Sequence, residues 1–125
     1  MQNGEALPSY SLQIDTPDGE MFVHIAEDRE GTPRLVLINI GKAGTAIAAW
    51  GDATARLCTE LLPHSGVHKL IEMLSGITAS RFKYLAGGAV CRSGPEGLAI
   101  CLLRYRAQKF KENQVKHRPG RATRD

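Results

Sequence analysis

The sequence predicts an α+β fold in which a three-stranded antiparallel sheet is followed by three helices, in the order β-β-β-α-α-α. Three observations carry this. Apolar residues alternate with polar ones on both sides of Pro17-Asp18-Gly19; residues 34–40 are almost unbroken Leu, Val and Ile; and from Ile47 onward apolar positions recur at spacings of three and four.

Residues 1–8 read as a flexible leader. Tyr10, Leu12 and Ile14 then alternate with Ser11 and Gln13, and Met21, Val23 and Ile25 alternate with Phe22 and His24. Such period-two patterns suit half-buried strands, and Pro17-Asp18-Gly19 supplies the turn of a hairpin. After EDREGTP the run Arg34–Ile40 suits the central strand of a sheet covered on at least one face. Ile47, Trp50, Thr54, Leu57, Cys58 and Leu61 fall on one side of a helix that Pro63 is expected to end. Ser65 caps a short second helix closed by Gly76, with Val67, Leu70, Ile71 and Leu74 as its apolar face. Residues 78–92 lack periodicity and read as a long surface loop. Ser93 and Glu96 make an S-x-x-E capping box with Pro95 in the first turn, a strong start for the last helix. The expected core is Tyr10, Ile14, Val23, Val36, Ile38, Ile47, Trp50, Leu57, Leu61, Leu70, Ile71, Leu98 and Leu102. Residues 9–112 thus form one domain, and 113–125, with Pro119-Gly120 and dense charge, a basic tail expected to be disordered.

At 125 residues the chain suits a single core. Its 42% hydrophobic content contains no run near the roughly 18 residues a membrane helix needs, and MQNGEALPSY lacks the basic and apolar regions of a signal peptide. Three cysteines without a C-x-x-C spacing argue against a disulfide framework or a closed zinc site, so a cytoplasmic setting is expected. Cys58 and Cys101 read as core residues. Cys91, beside Arg92 and ahead of a helix N-terminus, is either another core thiol or a reactive one. The net charge of +3 is divided: residues 104–125 carry eight basic groups against Glu112 and Asp125, leaving the rest of the chain at −3.

From about Arg34 to Arg104 the chain resembles the TSCPD domain, found at the C-terminus of cobalamin-dependent ribonucleotide reductases and as a free-standing small protein. The resemblance rests on the strand leading into GKAGTAIAA at 41–49, Ser65-Gly66-Val67, Leu74-Ser75-Gly76-Ile77, and Ser93-Gly94-Pro95-Glu96-Gly97-Leu98-Ala99. Gly94 stands where the family often has cysteine, Glu96 replaces aspartate, and Thr78-Ala79-Ser80 replaces a cysteine and proline. The resemblance implies an accessory module without radical or cobalamin machinery and, with those cysteines replaced, without their metal or redox chemistry.

Gly41-Lys42-Ala43-Gly44-Thr45 invites two readings. It is either a tight strand-to-helix connection capped by Thr45 or an anion site, since two glycines let backbone N–H groups approach a phosphate and Lys42 adds charge. It is not a Walker A motif, whose lysine follows the second glycine. His64 and His68 have ligand spacing, but Pro63 and Gly66 break the helix there, and no metal or cofactor is expected. No ordered catalytic signature is present. The leading functional expectation is a noncatalytic binding or accessory module taking a phosphate-bearing ligand such as a nucleotide, or an acidic partner. The alternative is a nucleic-acid-binding protein using Arg81, Lys83, Arg92, Arg104, Arg106, Lys109, Lys111, Lys116 and Arg118, against the reading of these as solvated surface. Open sheet edges make a homo-oligomer a further expectation.

Overall fold

The computed structural model describes residues 7–116. Strands β1 (Ser9–Thr16), β2 (Gly19–Glu27) and β3 (Pro33–Ile40) form an antiparallel sheet in the order β1-β2-β3. At the first turn Thr16 Oγ1 donates to the Gly19 carbonyl at 2.8 Å and accepts from the Asp18 N–H at 3.0 Å, so one hydroxyl closes the hairpin. At the second, the Asp28 carboxylate accepts from the N–H groups of Glu30 and Thr32 and from Arg34 Nε. The bond from Thr32, followed by that from Arg34, holds the Asp28 carboxyl below its usual range.

The period-two alternation is realised, with Ile14, Met21, Val23, Ile25, Val36 and Ile40 buried on one face. The other face leaves Phe22, Leu35 and Leu37 exposed. β2, rather than β3, is the central strand. Apolar residues on both faces of β3 suggested a central position, yet its odd-numbered set lies on the open face. The outer edge of β3 is engaged at one point: Thr59 Oγ1 accepts from the Val36 N–H and donates to the Val36 carbonyl.

Among the described residues two helices follow, rather than the expected three: α1 (Ala46–Leu74) runs through Pro63 and joins two helical stretches across a kink at Gly66, with φ 78° and ψ 172°. Proline forfeits its own N–H bond; the change of direction needs the left-handed backbone that glycine supplies three residues later. α2 (Gly94–Lys116) begins where the Ser93 motif placed it. The segment expected to be a long loop contains a second, two-stranded sheet, β4 (Lys83–Tyr84) with β5 (Val90–Cys91), joined through a 3-10 turn at Ala86–Gly88. These strands are too short to show alternation. Residues 117–125, and with them Arg118 and most of the basic tail, lie outside the described residues.

Both helices pack on the inner face of the large sheet. α1 does so through small residues: Ala55 and Cys58 are buried with Leu62, and a Cβ added at Gly51 would lie 2.8 Å from Ile40 Cγ2. This corrects the core assignment of α1. Ile47, Trp50 and Leu57 are exposed, Trp50 by 74% and Leu57 by 66%, because close approach to β3 selects the glycine and alanine side and turns the larger residues aside. α2 packs equally closely. A Cβ on Gly97 would meet Thr16 Cγ2 at 2.9 Å and both Cys91 Sγ and Met21 Cε at 3.2 Å.

Glu27 continues the buried phase of Met21, Val23 and Ile25 and is itself buried. It accepts from Tyr105 Oη at 2.6 Å and Lys109 Nζ at 3.2 Å, which fixes the middle of α2 to the sheet. Tyr10 stacks edge-on against Tyr105 at 5.1 Å, lies under Lys109 Nζ and donates to Glu112. Burial, reinforced by Glu27, pushes the Tyr105 hydroxyl far above its ordinary pKa.

Candidate functional site

The starts of α1 and α2 and the Thr16–Gly19 turn enclose an apolar cleft of about 180 Å³. Met21, Ile38, Ile40 and Leu98 line its depth, Ile47 and Trp50 its α1 side, and Pro95 its α2 side, while Asp18 is the carboxylate among its lining residues. Each helix start has a local cause. Thr45 Oγ1 caps α1 by accepting from the Ala48 N–H at 3.2 Å and donates to the Lys42 carbonyl at 2.7 Å. Gly41 at φ 70° and Gly44 at φ 88° supply the left-handed turns that bring the strand round into this cap.

Gly41, Lys42, Ala43, Gly44 and Thr45 are therefore together, exposed and at a helix N-terminus. The turn adjoins the cleft through Ile47, which lines the cleft and lies 3.5 Å from where a Gly41 Cβ would be. The first-turn amides of α1 have no acceptor within the helix beyond the one Thr45 provides, so positive potential gathers beside an apolar opening.

The Ser93 motif is a structural clamp. Ser93 Oγ accepts from the Glu96 N–H at 3.1 Å and donates to the Ile77 carbonyl. Glu96 does not reach back to the Ser93 N–H as in a capping box; it accepts from the N–H groups of Arg92 and Gly76 and from the Arg92 guanidinium. That guanidinium, first among the causes, holds the buried Glu96 carboxyl down to about 2. The exit of α1 and the entry of α2 are thereby joined through one carboxylate.

The expected basic contacts are not gathered in one place. Arg92 is bound to Glu96, Lys109 to Glu27, and Arg106 lies 3.2 Å from His68 Nδ1. Around α2, Arg104 and Lys111 share one face at a seven-residue spacing, with Arg106 on the opposite side and Lys116 a turn or more beyond. Arg81 and Lys83 belong to the β4 segment. Cys91 is fully buried, and burial raises its thiol above the ordinary value, as it does for Cys58 and takes Cys101 to about 11. Burial outweighs the opposing charge of Arg104, while the Arg92 guanidinium is taken by Glu96, so Cys91 is a core thiol. Among the described residues no three His, Cys, Asp or Glu side chains are placed to hold a metal ion, and no helix is long and apolar enough to cross a membrane.

The cleft itself was missed from sequence, because Trp50 and Ile47 were assigned to the core. Gly51 within the helical run was the available signal that the large residues beside it did not face the sheet. Compared with family models, curated proteins and solved structures, the chain matches none.

Proposed function

We propose that the protein is a noncatalytic binding module for a phosphate-bearing ligand with a flat or apolar part, a nucleotide being the simplest. The phosphate sits on the Gly41–Thr45 turn beside Lys42, and the base enters the cleft between Ile47, Trp50 and Pro95. The observation that carries this reading is the adjacency of an apolar cleft to a glycine-rich helix start, with a largely exposed tryptophan lining the opening. Anion affinity from the helix end and ring affinity from the cleft are complementary parts of one ligand. The Asp18 carboxylate supplies an acceptor for an amino or hydroxyl group. The TSCPD resemblance supports an accessory rather than a catalytic role.

Trp50 is the one tryptophan of the chain, so its fluorescence reports occupancy directly. Titration with adenosine monophosphate, adenosine and inorganic phosphate separates the two contributions. The nucleotide should change the emission with the highest affinity, and Lys42→Ala with Gly44→Ala should weaken it toward that of adenosine. Equal affinity for nucleotide and nucleoside would refute the phosphate role of the turn.

A further inference from the structure

The polar groups of the cleft narrow the kind of base it would take. Of the residues that line it, Asp18, Thr54 and the largely exposed Trp50 carry nitrogen or oxygen in their side chains; the others are apolar or glycine. Thr54 Oγ1 gives its hydrogen to the Trp50 carbonyl at 2.8 Å, which leaves it only lone pairs to offer. Asp18 is held through its backbone N–H by Thr16 Oγ1 at 3.0 Å, whereas its carboxylate has no hydrogen bond or ion pair among the described residues. An ionised carboxylate can only accept. Asp18 Oδ2 stands 3.4 Å from the Cβ that a side chain at Gly94 would carry, so this acceptor lies on the α2 side of the cleft. The Gly41–Thr45 turn adjoins the α1 side through Ile47. Both turns leave the sheet at the same end, since Met21 pairs with Ile40.

A ligand with its phosphate on the turn therefore reaches Asp18 with the far edge of its base, and that edge must bring donors. Guanine carries two adjacent N–H donors, at N1 and the 2-amino group, and one carboxylate accepts from both at once. Adenine flanks its amino group with ring nitrogens whose lone pairs oppose the carboxylate. Cytosine sets a similar lone pair beside its amino group, and uracil sets its single N–H between two carbonyls. We propose that the cleft selects guanine nucleotides, with Asp18 as the specificity-determining residue reading the N1–H and 2-amino edge. This rests on the nucleotide reading above and adds the identity of the base to it.

The test is isothermal titration calorimetry of the full chain with the monophosphates of guanosine, inosine, adenosine and xanthosine. Guanosine monophosphate should bind most tightly. Inosine monophosphate, which lacks only the 2-amino group, should bind roughly tenfold more weakly, the effect of one hydrogen bond to a charged group, and adenosine monophosphate should also be weaker. Asp18→Asn replaces one acceptor by an amide donor, which opposes the guanine 2-amino group and matches the carbonyl that xanthine has there. The variant should lose the preference for guanine and favour the xanthine compound. Asp18 is exposed; thermal unfolding checks that the variant folds, and the comparison of guanosine with inosine monophosphate in the unaltered chain stands without it. Equal affinities for the guanine, hypoxanthine and adenine compounds, or a guanine preference that survives in Asp18→Asn, would overturn this inference and leave the nucleotide reading intact. Failure of all four to bind at millimolar concentration would overturn the nucleotide reading and this inference with it.

Discussion

Replacing Glu96 by glutamine tests the clamp that joins the two helices. The carboxylate is buried, with 8% of its side chain exposed, and accepts from two backbone amides and a guanidinium. A carboxyl drawn from 4.5 down to about 2 corresponds to roughly 3 kcal/mol at about 1.36 kcal/mol per pH unit. The Arg92 side chain is 48% exposed, and solvent screening of its charge reduces the expected contribution to about 1–2 kcal/mol. Because the folded pKa is the lower one, this stability is present in full above about pH 4.5 and is lost as pH falls toward 2. Urea unfolding of the two proteins from pH 7 to pH 2.5 measures it, since the other carboxylates titrate in both and cancel in the difference. Glu96→Gln should be the less stable by about 1–2 kcal/mol at neutral pH, with the gap narrowing in acid. A gap that stays constant across the pH range would refute the ionic part of the argument, and no gap at pH 7 would refute the clamp.

Tyr105→Phe removes a donor from the buried Glu27 carboxylate and should cost about 1–3 kcal/mol in an unfolding measurement; a neutral effect would show that Lys109 alone suffices. Gly97→Ala drives a methyl group against Thr16, Cys91 and Met21, with an expected loss of about 1–3 kcal/mol, and an unchanged midpoint would mean that α2 packs less closely than described. The three thiols are buried and shifted toward the neutral form. A thiol reagent at pH 8 should therefore label them slowly until denaturant is added, and fast labelling of Cys91 in the folded protein would restore its reactive reading.

What the sequence made legible is what repeats along it. The period-two phase from Tyr10 to Ile25 placed β1, β2 and the hairpin, and the Ser93–Glu96 spacing placed the start of α2, because both are set by residues close in sequence. The failures share another cause. Trp50 and Leu57 are apolar by composition, but whether they are covered depends on which elements lie across from them, and α1 held close to β3 by Gly51 leaves them open. Pro63 looked like a stop because a proline cancels a hydrogen bond, whereas the turn in the chain required the positive φ of Gly66. Glu27 was legible in principle, two residues beyond Ile25 in the buried phase, yet its partners Tyr105 and Lys109 lie about eighty residues away. The turn at 41–45 was legible as a helix start; the cleft beside it was not, since Asp18, Ile38, Trp50 and Pro95 come from four separate parts of the chain.

The most direct test of the proposed function is the emission of Trp50 during titration with adenosine monophosphate, with Lys42→Ala measured alongside. The account predicts a saturable change that depends on the phosphate and weakens several-fold in the variant. A Trp50 signal indifferent to nucleotide at millimolar concentration would contradict it.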